Sequence, residues 1–298
     1  MFRGSRSTYR SSHLHTAAAA AVLGAAMLCT TFASPATAQS RWMPRNGDQT
    51  VMLEVLQPSL EGFDSELFSS AFFLSGRVAL SPRLSVVGEL PFARHKSTYL
   101  VFFPENVSSN TIGNPYAGVE LKLGSGLAVL EFGVRPPLVA DDELLASFTG
   151  KASDVARWEA FSTDRFAILA AFRVREVTPS KIAFGLRLSP VFTIPTKETT
   201  QTGMLYAIYS FQVGYEGTKA RIGTGLTGRS QITHEFGDTP LDFISAYGNL
   251  GERTSSQFEV HADFLSGHIR PGLDLHVPLG GMSYYVSSVV GLSVTWTR

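Results

Sequence analysis

Along residues 75–90, SGRVALSPRLSVVGEL, apolar and polar side chains alternate with a period of two on either side of Ser81-Pro82-Arg83. One parity carries Gly76, Val78, Leu80, Leu84, Val86, Gly88 and Leu90, and the other carries Ser75, Arg77, Ala79, Ser85, Val87 and Glu89. A strand whose two faces meet different surroundings reads this way. The rhythm recurs along the chain and predicts twelve strands, near 50–57, 67–80, 84–95, 114–123, 127–135, 165–175, 181–193, 204–215, 219–230, 256–264, 269–277 and 283–297.

The connections alternate too. Ser81–Arg83, Gly124–Gly126, Val177–Ser180, Glu216–Thr218 and Leu265–Gly267 are tight turns. Between them lie the longer segments 58–66, 96–113, 136–164, 194–203, 231–255 and 278–282. An up-and-down antiparallel sheet with short turns at one end and loops at the other has this order, as transmembrane barrels do. A Greek-key sandwich would scatter its long connections over both ends.

Aromatic positions decide which face is outside. On the apolar parity, Phe68, Phe92, Phe166, Phe192, Phe258 and Tyr284 fall beside long loops, whereas Tyr215, Phe264 and Trp296 fall beside short turns. Rings at both margins of an apolar band suit the two interfaces of a bilayer. About ten residues at ~3.3 Å each, tilted near 40°, also span the ~25 Å apolar height of such barrels. The fold expected is therefore an all-β, antiparallel, up-and-down transmembrane barrel of about twelve strands with its oily face outward.

The opposite parity then lines a wet interior. On the early strands it places Arg77, Glu89, Glu120, Lys122 and Glu131; on the middle strands, Arg173, Arg187 and Arg221; on the last hairpin, Glu259, His261, Asp263, Arg270 and Asp274. Ionised groups at this depth are tolerable only beside water or beside one another. Strands 165–230 contribute arginines, including Arg229, and no acid, facing walls rich in carboxylate. Such a lumen would filter polar solutes by charge; alternatively, the same groups interlock and shut it. Pairing Phe264 with Ile269 sets Asp263 opposite Arg270 and Glu259 opposite Asp274, with His261 and His276 on the diagonals. Two histidines beside two carboxylates could bind a divalent metal or relay protons, but a hydrogen-bonded network is the plainer reading, and no metal or cofactor is expected.

The longest loop stands apart. ADDELLASFTGKASDVARWEAF has acids before a helix-like spacing of Leu144, Leu145 and Phe148. The reading adopted is an extracellular cap or a helix on the membrane surface, with an inward constriction as the alternative.

Composition adds a leader and removes other classes. Arg3, Arg6 and Arg10, an apolar run to about Ala33 and Ala36-Thr37-Ala38 form a secretory signal peptide over 1–38, leaving 39–298 as the barrel. The one cysteine, Cys29, would leave with it, so no disulfide is available. Losing residues 1–38 removes three of 25 basic residues and none of the 25 acidic ones, for a formal charge of −3. No basic excess points to nucleic acid. No later run of 18 apolar residues predicts a membrane helix.

Two motif matches carry nothing. GTGLTG (223–228) lies inside a strand pattern and opens no βαβ unit. NVS (106–108) is a glycosylation sequon by pattern only. A lipid hydrolase would need serine, histidine and an acid at the lipid-facing rim. The candidates, His95 beside Ser97, and His234 with Ser230, Glu235 and Asp238, form no recognisable arrangement, so no enzyme is expected.

The leader, the strand rhythm and the last strand YYVSSVVGLSVTW together resemble bacterial outer-membrane β-barrels, although Thr297 and Arg298 follow the final aromatic Trp296. Within that class, IGNPYAGVELKL (112–123) and the glycine turn after it resemble a transporter family linked to meta-cleavage pathways for aromatic compounds. The resemblance implies uptake of small, hydrophobic compounds and gives no catalytic residue. The function expected is an outer-membrane channel for small solutes, surrounded by lipid and inserted by the barrel assembly machinery; a non-conducting surface barrel is the alternative.

Overall fold

The computed structural model describes residues 49–61, 69–97, 107–124, 127–197, 203–233, 254–265 and 267–298. The proposed leader, Cys29, Phe68, His234, Glu235 and Asp238 lie outside them. Period-two burial runs through almost every strand: β1 (Gln49–Leu60) and β13 (Val286–Thr297) alternate buried and exposed positions along most of their lengths. The others are β2 (Ser70–Ala79), β3 (Leu84–Ser97), β4 (Val107–Ile112), β5 (Tyr116–Leu123), β6 (Ala128–Arg135), β7 (Arg165–Val177), β8 (Ile182–Pro195), β9 (Met204–Glu216), β10 (Ala220–Gln231), β11 (Thr254–Phe264) and β12 (Ile269–Leu279).

Each strand pairs antiparallel with its neighbours, and β1 joins β13 from Thr50↔Thr297 to Leu60↔Val286. The sheet closes as a 12-strand barrel, β4 and β5 being two halves of one interrupted strand. Closure satisfies the backbone groups that an open edge would leave unpaired. All twelve strands predicted from the sequence are present within a few residues. The segment Val107–Ile112, expected as loop, is the extra one.

The outward face is apolar. Val51, Leu53, Leu74, Val78, Phe132, Phe211, Leu273 and Val294 stand exposed along the wall, with Phe92, Phe192 and Phe258 towards one end and Tyr215, Phe264 and Trp296 towards the other. Outward ionisable groups of the described strands, Arg94, Lys96 and Glu176, all fall in the last four residues of β3 or β7. An oily band flanked by rings and a buried charged interior is inverted relative to a water-soluble fold.

Between β4 and β5 the pairing with β3 slips by one residue, from Phe92↔Ile112 to Glu89↔Tyr116. That extra residue is a bulge: it reverses which parity faces inward and bends the wall. The bulge, Gly113-Asn114-Pro115, lies inside the IGNPYAGVELKL stretch.

The segment after β6 corrects the sequence reading. It neither caps the barrel nor lies on the membrane surface; it folds into the interior as helix α1 (Leu144–Ser153) followed by a 3-10 segment (Val155–Phe161). The helix buries its small and polar face, Ala146, Ser147, Thr149, Gly150, Ala152 and Ser153, and leaves Leu144 exposed. Small side chains let a helix backbone approach a wall closely, and the enclosed space favours this face over the leucines. Phe161 folds back on Gly150, where any Cβ would lie 2.4 Å from its ring. The segment completes an apolar core with Leu56, Ala71, Phe73, Ala93, Val286 and Val289 from the inner wall.

Candidate functional site

The interior joins a charged wall to the inserted segment. All the ionisable residues assigned inward from parity face the interior: Arg77, Glu89, Glu120, Glu131, Arg173, Arg187, Arg221 and Glu259 are buried, and Lys122, His261, Asp263, Arg270 and Asp274 are half-buried. Their partners could not be read from parity. Glu120 and Glu131 are directly opposed on β5 and β6, an arrangement whose repulsion a cation or a shared proton relieves. Arg173 supplies the cation, meeting Glu120 at 2.8 Å and also bonding Glu131, while Arg77 reaches Glu120 at 2.9 Å. Arg173 and Arg187 are likewise opposed on β7 and β8.

The separate basic and acidic walls expected from the sequence are thus largely stitched together. The middle strands also carry an inward acid: Glu216 bonds Arg175 and lies 3.8 Å from Arg221. At the last hairpin the register differs by two residues from the expected one. His261 opposes Asp274 and Glu259 opposes His276, while Asp263 opposes Gly272 and accepts from Arg221 Nε at 2.8 Å. The wider turn around Gly267, which has a positive φ of 65°, takes up the difference. A slip of two keeps every side chain on its face. Among the described residues no group of three or more His, Cys, Asp or Glu is placed to hold a metal ion. A small cleft of about 30 Å³ at the short-turn end is lined by Arg175, Glu216, Arg221 and His261 among others.

At the loop end the inserted segment is held from several sides. Asn114 is fully buried. Its Oδ1 accepts from the backbone N–H of Leu138 (2.6 Å) and Val139 (3.1 Å), and its Nδ2 donates to the carbonyls of Glu159 (2.9 Å) and Ser162 (2.6 Å). One side chain on the wall therefore clasps both legs of the segment. Its backbone N–H adds a bond to the Ala160 carbonyl at 2.6 Å. A Cβ on Gly113 would stand 2.5 Å from that same carbonyl, so glycine is required for this approach. Glu143 docks the start of α1 on β4, accepting from Ser109 Oγ (2.5 Å) and Asn110 N–H (3.2 Å). Ser109 Oγ in turn accepts from the Ala146 N–H at 3.1 Å, satisfying a donor that the first helical turn would otherwise leave unpaired.

Arg157 is the buried cation of the segment. It bonds Asp154 of its own turn (2.7 Å), Glu54 of β1 (2.6 Å) and Glu89 of β3 (3.4 Å), and its guanidinium lies 3.6 Å from the centre of the Phe73 ring on β2. Glu89 also holds Arg135 at 2.5 Å. Asp154 ends α1 in extended geometry and accepts from Ala156 N–H at 2.8 Å, an N-cap for the 3-10 turn. Across the interior, Glu159 bonds Arg229, and Gln257 Oε1 accepts from Val155 N–H at 3.3 Å. His95, considered above for rim catalysis, faces inward and meets Thr149 Oγ1 at 3.0 Å. Of these anchors, Asn114, Arg157 and Glu159 had no sequence reading as site residues; the Asn-Pro pair at a predicted strand start was the available signal.

Outside the wall, Lys197 bonds Asp141 and lies 2.9 Å from Asp164, joining the loop after β8 to the inserted segment. These hydrogen bonds hold the Asp141 carboxyl below its usual range and raise the Lys197 ammonium.

No family model matches the sequence, and no curated protein matches it. Among solved structures, the chain is similar to an outer membrane channel from Pseudomonas putida F1, with a TM-score of 0.56 at 13% identity over 87% of this chain and 98% of that one. It is also similar to LpxR from Salmonella typhimurium, with a TM-score of 0.50 at 8% identity over 84% of this chain and all (100%) of that one. At such identities the likeness is one of fold. That fold, a closed 12-strand antiparallel barrel, is the fold of bacterial outer-membrane β-barrels.

Proposed function

We propose that this chain is an outer-membrane channel for small solutes whose lumen is narrowed by the inserted segment 136–164. The outward apolar band between two sets of rings supports a membrane location. The observation that carries the channel reading is how the segment is held: side-chain hydrogen bonds and ion pairs fix a short helix inside an otherwise complete wall, so its departure would break no strand pairing. A charged interior around a removable element is what a regulated aqueous path requires. Lipid, small solutes and the barrel assembly machinery are the partners this reading implies, and it assigns no catalytic role and no cofactor.

A second reading is a non-conducting barrel whose loops contact other molecules. The cross-linked interior, with Glu120 shared by Arg77 and Arg173, favours it. Planar-bilayer recordings separate the two. Conductance steps from refolded protein, larger when residues 141–161 are replaced by a short glycine-serine linker, support the channel; silence from both proteins removes it.

A further inference from the structure

Glu54, Phe73 and Glu89 sit on three successive strands, and Glu54 and Phe73 are direct register partners across β1 and β2. One strand further, Glu89 pairs with Ser75, two residues along from Phe73 on the same face. The three side chains are buried and point into the barrel, giving a ring face between two carboxylates. Beside them the wall is apolar, with Leu56 and Ala71 fully buried. A planar cation lying on such a ring is attracted by its π-face, and flanking carboxylates add charge-assisted hydrogen bonds. Arg157 fills this seat, but it belongs to the inserted segment and not to the wall.

We infer that Glu54, Phe73 and Glu89 form a lumenal binding site for an organic cation, a guanidinium or primary ammonium on an apolar body, and that Arg157 occupies it as an internal substitute for that solute. The inference rests on the channel reading for its biological use and adds the solute class.

The charges support exchange between the two occupants. Asp154 travels with Arg157 as its i, i+3 partner at 2.7 Å, so the arginine keeps one carboxylate when the segment leaves. Glu89 keeps Arg135 at 2.5 Å and the Ser75 hydroxyl at 3.4 Å. Glu54, 8% exposed, loses the guanidinium held at 2.6 Å. A solute cation entering the seat restores to Glu54 the charge-assisted bond that the departing guanidinium takes away. Solute binding and release of the segment are then linked, each favouring the other. Anions gain nothing from the exchange.

The test uses the full refolded barrel with n-butylguanidinium chloride as probe, sodium chloride at equal ionic strength and sodium valerate as controls. In wild type, the probe should speed protease cleavage within 141–161, whereas the controls should not, and E54Q should abolish that dependence. In R157A, calorimetric affinity for the probe should exceed that of wild type on the order of 100-fold, and R157A/E54Q/E89Q should lose the gain. Cleavage indifferent to the probe in wild type, or equal effects of valerate, overturns the site even if R157A does not refold. Probe binding without any flux into liposomes would remove the channel reading and leave the site standing; flux without probe binding would do the reverse.

Discussion

Replacing Asn114 by alanine isolates the clasp from the wall. The substitution removes four side-chain hydrogen bonds, to Leu138, Val139, Glu159 and Ser162, two of them fully buried. The backbone bond to the Ala160 carbonyl and the strand pairing on either side of the bulge stay in place. At about 1 kcal/mol net per hydrogen bond the upper figure is ~4 kcal/mol, and water entering the vacated space recovers part of it. A weakening of roughly 2–4 kcal/mol multiplies the released population by about 30- to 700-fold, at 1.4 kcal/mol per factor of ten. Limited proteolysis reads this quantity directly, because cleavage follows the population of the opened form when closing is fast. The refolded N114A barrel should migrate as wild type does when unboiled, showing an intact wall, yet be cut within 141–161 far faster. Cleavage at the wild-type rate by a barrel that remains folded would refute the clasp. So would faster cleavage found only together with loss of the folded band.

Gly113→Ala should act in the same direction, since its Cβ would lie 2.5 Å from the Ala160 carbonyl; cleavage in 141–161 should accelerate while β3–β4 amides stay protected from hydrogen exchange. Arg187→Glu should move the reversal potential towards cation selectivity, and an unchanged potential would remove that arginine from the conducting path. Spin labels at Val78, Leu186 and Val260 should sense oxygen dissolved in the bilayer, whereas labels at Arg77, Arg187 and His261 should not; the reverse result would turn the barrel inside out. The Lys197–Asp141 link should be indifferent to pH between about 5 and 9. The depressed Asp141 carboxyl keeps the link above its unfolded pKa and loses it only as pH falls through the folded one, while the raised Lys197 ammonium keeps it below the unfolded value and loses it only as pH rises past the folded one. A paramagnetic probe on the 196–197 loop that moves relative to Asp141 near neutrality would contradict this.

What could be read before folding is confined to what the chain repeats locally. Period two is a property of each strand alone, so the strands, the inward face and the outward rings all follow from parity. Errors that preserve parity leave the faces right and the partners wrong, as at the last hairpin, where the two-residue slip moved Asp274 from Glu259 to His261. β4 escaped notice because VSSNTI is mostly small and polar and shows no contrast between its faces. The inserted segment misled for a different reason. Leu144, Leu145 and Phe148 suggested a greasy helix face for the membrane, whereas the enclosed space buries the small residues, with Phe148 packed half-buried against the apolar core and Leu144 left exposed.

Sequence by itself determined the all-β architecture, the approximate number of strands in the wall and which face of each strand turns inward, since each depends on neighbours one to ten residues away. Only the tertiary structure decided that segment 136–164 enters the barrel, that Asn114 clasps it, and that Arg157 lies between Glu54 and Glu89. Those contacts join residues 24 to 103 positions apart. No periodicity encodes such distances: closing the wall brings the partners together, and burial then favours pairing of the charges and amides among them.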